Sequence, residues 1–240
     1  MGWRLIDTDI ADSYYVTAAD EAIAIAKKQN KTPNTLHFYR RNQPTISIGR
    51  SRKIQEDILL EECKKNKVKI IRRTTGGGTI YTDENCLIYS LIFDKKQTEL
   101  TNTNEIFENI CKSIVNALTS FNINAQYKHP NDILVNGRKI SGSAQIKKDN
   151  TILIHGTILV DTNIDLMRKI LKKPKTDVTT LKTELGKILS FDQLKFELKL
   201  AFEKYFNTKM IAGSFNQFET GLIEKLLRER YQKDSWNYLR

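Results

Sequence analysis

Apolar residues recur along the chain at two periods. Between residues 14 and 28, Ala18, Ala19, Ala22, Ile23 and Ala26 return at three- and four-residue intervals, which predicts a helix with one buried face. Helical spacing returns at 54–65, at 103–121 (Ile106, Ile110, Ile114, Val115, Leu118), at 164–171, from a Ser190 cap to Phe206, and at 215–231. Thr101 or Thr103 is the expected cap of the second long helix. Short runs of β-branched and aromatic residues at 3–6, 35–39, 45–48, 68–71 and 87–93 predict strands, and 151–160 alternates in the period of two. Ile133-Leu134-Val135, Asn136-Gly137 and Arg138-Lys139-Ile140 spell a hairpin, since Asn-Gly suits a two-residue type I′ turn. The first two thirds mix strands with helices and the last third is mostly helical, an α+β pattern with no internal repeat. The acidic pair Asp20-Glu21 falls mid-helix, and the default for such a pair is a solvated face.

One stretch breaks the periodicity. After Val68, Ile70 and Ile71 come Arg72, Arg73, Thr74, Thr75, then Gly76, Gly77 and Gly78. On a strand the two arginines point to opposite faces, so one of them faces a given site. Glycines without Cβ let another molecule touch the backbone, and their N–H groups can converge on an anion. Arginine beside them offers a planar fork for phosphate or carboxylate. By itself the stretch is more often a glycine-rich turn with solvated arginines. It is neither a Walker loop nor the Gly-x-Gly-x-x-Gly dinucleotide fingerprint.

Composition narrows the classes. The chain has 240 residues, 40% of them hydrophobic, which supports a real core and one large domain. No apolar run reaches ~18 residues, so no membrane span is expected, and the start reads as a strand with no signal peptide. Three widely spaced cysteines, Cys63, Cys86 and Cys111, fit a reducing cytoplasm and argue against a disulfide framework or a zinc site. The net charge of +11 allows a nucleic-acid or acidic protein partner, but the lysines are scattered and no recognition motif accompanies them.

Two further clusters carry candidate chemistry. In 129–145, Asp132 opens one hairpin arm and Lys139 lies just past the turn on the other. A carboxylate can hold Mg²⁺ or a lysine, and an ammonium can face a phosphate or a developing oxyanion. Ser141, Gly142 and Ala144 are small enough for a ligand to lie against the backbone. An ordinary hairpin with a surface ion pair explains these residues as well. In 154–159, His155 stands on an apolar strand, where a core histidine is the commoner case.

In combination these motifs are specific. Arg-Arg-x-Thr-Gly-Gly-Gly at 72–78, Asn-Asp-Ile-x-Val-x-Gly-x-Lys-Ile-Ser-Gly-Ser-Ala-Gln at 131–145 and His-Gly-Thr-Ile-Leu at 155–159 closely resemble the lipoate-protein ligase family of the biotin/lipoate ligase superfamily. The resemblance reaches outward to Ala18–Ala22, to 36–50 and to Tyr231 with Trp236-Asn237. It implies a mixed β-sheet flanked by helices and an ATP-dependent, two-step acyl transfer through an acyl-adenylate. By position in the motifs, Arg73, Thr75, Gly76, Gly77 and Gly78 would line the adenylate, with Thr82 nearby. Lys139 would neutralise charge as the catalytic residue. Asn131 and Asp132 would orient the adenylate, Mg²⁺ or the incoming lysine. Ser141, Gly142 and Ala144 would wall the adenine, and His155 would close the pocket. The implied substrates are ATP and lipoate or octanoate. The implied partners are the lipoyl carrier domains of 2-oxoacid dehydrogenase E2 and the glycine cleavage H protein. Residues 1–240 read as a single catalytic domain without the C-terminal accessory domain of many relatives, so a separate small accessory subunit is expected.

The sequence departs from the family twice. Thr82-Asp83 stands where His-Asp is usual, and Arg41 stands where an early-loop Trp is usual; both bear on acyl-chain recognition. The rival of the same fold is an ATP-independent octanoyl- or lipoyltransferase, whose cysteine-dependent form places a nucleophilic Cys in the loop before the Asn-Asp-Ile strand. Residues 112–130 contain none.

Overall fold

The computed structural model describes residues 2–99, 102–172 and 177–239. In chain order the elements are β1 (Trp3–Ala11), α1 (Ser13–Lys28), β2 (Asn34–Arg41), β3 (Thr45–Ile48), α2 (Ile54–Asp57), α3 (Leu60–Lys65), β4 (Lys69–Arg72), β5 (Ile80–Thr82) and β6 (Cys86–Asp94). There follow α4 (Thr103–Thr119), β7 (Ala125–Lys128), β8 (Asp132–Val135), β9 (Arg138–Lys148), β10 (Thr151–Leu159), α5 (Ile164–Ile170), α6 (Leu181–Leu185), α7 (Phe191–Tyr205), β11 (Met210–Ala212), α8 (Gln217–Leu226) and α9 (Asp234–Asn237).

Among the described residues the strands form an eight-stranded mixed sheet in the order β11-β1-β2-β6-β10-β9-β8-β7 and a three-stranded sheet in the order β4-β3-β5. The α+β expectation holds. Alternate residues of the large sheet feed two cores. Leu36, Phe38, Leu91 and Ile154 pack with Ile110 and Ile114 of α4 and Leu198 and Phe202 of α7. On the opposite face lie α1 and the small sheet. Ala18, Ala19, Ala22 and Ala26 are all fully buried, and their short side chains let α1 settle close to its neighbours. Asp12 caps this helix, accepting from the N–H groups of Tyr14 and Tyr15.

The Asn136-Gly137 hairpin forms as read, with both residues at positive φ (50° and 75°), as a type I′ turn requires. Several expectations are corrected. The helix read at 54–65 is two pieces, because Ile58 and Leu59 are extended and pair outward: Ile58 bridges Leu171, and the Leu59 N–H donates to the Ile170 carbonyl at 2.9 Å. Of the two expected caps for α4, Thr101 lies outside the described residues and Thr103 is its first helical residue; Asn102 supplies the cap, accepting from Asn104. The last long helix ends at Leu226 in a π turn over Leu227–Tyr231, which turns Arg230 and Tyr231 onto Glu21. The largest correction concerns Asp20 and Glu21. Both are buried at under 10% exposure, not solvated.

Candidate active site

The registers place one row of residues across the large sheet under a cleft: Tyr39 on β2, Ile88 on β6, Thr157 on β10, Gly142 on β9 and Asp132 on β8. Four strand spacings of about 4.8 Å make this row about 19 Å long. Above it opens a cavity of about 630 Å³, the size of an ordinary ligand site. Arg73, Gly77, Gly78, Asn131, Asp132, Lys139, Ser141, Gly142, Ala144 and His155 all line it, so three stretches distant in sequence converge here.

At one end Lys139 Nζ pairs with an Asp132 carboxylate oxygen at 2.5 Å. The ammonium lies across Gly142: a Cβ there would be 2.7 Å from Lys139 Cε and Nζ, so only glycine admits this pose. The Lys139 backbone is tied to 177–179, its N–H donating to the Asp177 carbonyl and its carbonyl accepting from Thr179. Asn131 is fixed by its Nδ2 donating to the Ser143 carbonyl at 2.8 Å.

Arg73 lines the cavity and is engaged within its own loop. All five of its N–H donors are already taken. Nε donates to Thr75 Oγ1, Nη1 to the carbonyl and hydroxyl of Ser47, and Nη2 to the carbonyls of Gly76 and Gly78 at 2.8 and 2.7 Å. The guanidinium therefore shapes the glycine loop from behind. Burial, reinforced by nearby Arg41, lowers its pKa to about 10, which leaves it a cation at neutral pH. The loop also needs Gly49, where a Cβ would sit 2.2 Å from the Gly77 carbonyl oxygen, and Gly77 itself has φ of +91°.

Behind the loop lies a charged network that the sequence reading missed. Asp20 reaches from α1 to His37 Nδ1 at 2.9 Å, the Tyr39 hydroxyl at 2.9 Å and the Ser90 hydroxyl at 2.6 Å; His155 Nδ1 lies 3.6 Å away. Burial alone would raise the Asp20 pKa, but hydrogen bonds from His155 and His37 outweigh it and hold the carboxyl well below the usual carboxylate range. His155 Nε2 in turn meets Thr75 Oγ1 at 2.9 Å, completing a chain Asp20–His155–Thr75–Arg73–glycine loop. Burial lowers the His155 pKa despite Asp20, and the cations Arg73 and Arg41 lower it further. The available signal was position: Asp20 stands four residues after Val16 and three before Ile23, inside the apolar stripe of α1.

Other sequence-expected residues fall aside. Thr82 is fully buried, its hydroxyl directed at the Thr45 carbonyl at 3.4 Å, and is not among the residues lining the cavity. Gly76 and Thr75 support the loop from outside the cavity wall. Arg52 and Asp57 do line the cavity; they form a two-pronged pair to which the Thr79 hydroxyl adds a bond. No cluster of three or more His, Cys, Asp or Glu side chains that could cage a metal occurs among the described residues. Asp132, expected to hold Mg²⁺, is committed to Lys139.

None of the three cysteines lines the cavity, and all are buried. Burial pushes the thiols of Cys63 and Cys111 up to about 11 and that of Cys86 higher still. No helix among the described residues is long and apolar enough to cross a membrane.

The mixed sheet, the glycine loop and the lysine lying across a glycine surround one ligand-sized cleft. Residues 12–203 match the lipoyl protein ligase A/B catalytic domain, and the chain belongs to that family. It is 27% identical over 272 residues to an octanoyltransferase LipM of Halalkalibacterium halodurans, with 98% of each chain covered. A crystal structure of lipoate-protein ligase A bound with ATP superposes with a TM-score of 0.89 at 25% identity over 99% of both chains. A bi-partite lipoate protein ligase of Thermoplasma acidophilum shares the fold, with a TM-score of 0.87 at 24% identity over 100% of this chain and 98% of that one.

Proposed function

We propose that the chain is a lipoate-protein ligase that activates lipoate or octanoate with ATP and passes the acyl group to a lysine of a lipoyl carrier domain. In the first step the acid's carboxylate oxygen attacks the α-phosphorus of ATP, a P–O bond forms, and the bond to pyrophosphate breaks. In the second the carrier's amine attacks the acyl carbonyl; a C–N bond forms, the C–O bond to AMP breaks, and the amine gives up a proton. The Lys139 ammonium, steadied by Asp132 and by the backbone ties to 177–179, would offset negative charge on the carboxylate and phosphate oxygens. The loop held by Arg73 would offer its backbone to the nucleotide. Mg²⁺, when bound, would neutralise charge on the ATP phosphates; the two aspartates on the cavity wall, Asp57 and Asp132, are each paired with a cation, so neither is assigned to it.

The observation that carries this reading is the state of the thiols. A cysteine-dependent transferase needs an exposed, activated thiol beside its acyl site. Here all three thiols are buried, raised in pKa and absent from the cavity wall. The absence of such a thiol supports activation by a co-substrate, and Gly77 and Gly78 of the glycine loop line the same cavity. Likeness to the LipM octanoyltransferase favours the second reading, transfer from an acyl thioester without ATP. One assay separates the two. With ATP and lipoate, the ligase reading expects pyrophosphate and a lipoylated carrier, either an E2 lipoyl domain or a glycine cleavage H protein. Acylation from an octanoyl-carrier thioester with no nucleotide, and no pyrophosphate from ATP, would overturn it. Dependence on a separate small accessory subunit belongs to the same proposal; full-rate ligation by the 240-residue chain alone would remove that part and leave the ligase assignment intact.

A further inference from the structure

Lys139 sits where one strand leaves β9 and another segment takes its place. The pairing of β10 with β9 ends at Ile158 and Ser141. Beyond it, a strap at residues 177–179 meets β9 in parallel, with Val178 opposite Lys139. The Lys139 N–H donates to the Asp177 carbonyl at 2.8 Å, and the Thr179 N–H donates to the Lys139 carbonyl at 2.9 Å. Such a bridge is well short of an ordinary strand. One side chain staples it. Glu184 on α6 accepts through Oε1 from the Thr179 hydroxyl at 2.5 Å and from Arg138 Nη2 at 2.7 Å, and through Oε2 from Asn136 Nδ2 at 2.8 Å. Its side chain is only 6% exposed. Asn136 and Arg138 belong to the hairpin that carries Lys139, and Thr179 belongs to the strap. Arg138 and Lys139 are adjacent on β9 and point to opposite faces. Glu184 therefore grips the hairpin from the side away from the cavity and is not among the residues lining it.

We propose that Glu184 is a positioning residue for Lys139: by tying the strap to the hairpin from behind, it fixes the direction in which the ammonium enters the cavity. The inference rests on the ligase reading for what Lys139 does there. A lysine stem is flexible, so its aim depends on where its root is clamped. Asp132 holds the ammonium end, and the strap holds the root. Without Glu184, Thr179 and Arg138 lose their shared acceptor. Thr179 is 1% exposed, so water replaces that bond poorly. The strap then parts from β9, and the ammonium loses the placement, to within about 0.5 Å, that a charge-stabilising group needs. Glu184 lies outside the cavity wall, so its loss falls on turnover and not on affinity.

The test is a double-mutant cycle in the full chain, read as pyrophosphate release from ATP with lipoate. Glu184→Ala should lower kcat by about 10- to 100-fold, the loss expected when a catalytic group is misplaced by about 1 Å. The ratio kcat/KM should fall in step. Glu184→Ala combined with Lys139→Ala should be no slower than Lys139→Ala alone, because both changes remove one effect. Glu184→Gln keeps an acceptor and should recover part of the rate. Hydrogen exchange gives a readout independent of the reaction. In Glu184→Ala the amides of Lys139 and Thr179 should exchange faster, while those of Ile152 and Ile154 on β10 stay protected. Losses that multiply in the double variant, or exchange that rises equally in β10, overturn the proposal. If the unaltered chain releases no pyrophosphate but transfers octanoyl from a thioester, the ligase reading fails and the same cycle is read on that transfer. If neither reaction occurs, faster exchange confined to Lys139 and Thr179 supports the proposal, and unchanged exchange overturns it.

Discussion

Replacing Asp20 with alanine should be among the most damaging changes in this protein, although the residue touches no ligand in the proposed reaction. Its carboxylate takes hydrogen bonds from His37, Tyr39 and Ser90, and all three partners are buried at 0–2% exposure. The substitution strands three donors at once. Each orphaned buried donor costs about 1–3 kcal/mol. The three share one partner and are not additive, so the loss expected for breaking a buried charged cluster, about 3–5 kcal/mol, applies. In a chain of this length each kcal/mol lowers Tm by about 2–4 °C, giving a drop of roughly 6–20 °C. Asp20→Asn keeps the shape and one acceptor and should lose about half as much.

The sign of the pH dependence follows from the depressed pKa. The folded carboxyl titrates well below the ordinary aspartate value of 3.8. Its contribution is therefore complete above that value and disappears as pH falls toward the folded pKa. Melting curves of the unaltered chain and Asp20→Ala, followed by circular dichroism, should differ by a constant gap above about pH 5. The gap should narrow as the pH falls below about 4. A gap under about 2 °C at pH 7, or one that widens in acid, would refute the assignment of Asp20 as the charged anchor of the site.

Lys139→Ala should reduce pyrophosphate formation by ~100- to 1000-fold while leaving the melting curve almost unchanged; near-normal activation would make Lys139 an ordinary hairpin lysine. Gly142→Ala puts a methyl 2.7 Å from Lys139 Nζ and Cε. The flexible end of the lysine can swing away, so activity should fall by about 100-fold through mispositioning, with little loss of stability; unchanged turnover would show that the pose of the lysine across Gly142 is not used. Gly49→Ala meets the Gly77 carbonyl oxygen at 2.2 Å, a backbone atom that cannot step aside. It should cost about 1–3 kcal/mol and weaken nucleotide binding together, and a variant with normal stability and affinity would sever Gly49 from the glycine loop.

Much of this was written locally. The alternation and helical periodicities of the chain, the paired positive-φ residues of Asn136-Gly137 and the three site motifs depend on neighbours within a few residues, and they were legible in the sequence. That Arg72 and Arg73 face opposite ways also follows from the pleat alone. What each arginine does with its face does not. Arg72 donates to the carbonyls of Gly49, Arg50 and Arg52, and Arg73 donates to those of Gly76 and Gly78 in the glycine loop. The break at Ile58-Leu59 depends on Ile170 and Leu171, more than a hundred residues away. Asp20 and Glu21 looked like a solvated pair because their partners, among them His37, Ser90, Arg230 and Tyr231, come from elsewhere in the chain. A buried carboxylate is tolerable only where donors converge on it, and convergence belongs to the tertiary fold. The sequence by itself determined which chemistry the chain carries. Packing decided which of those groups are free to meet a ligand and which are spent holding the others in place.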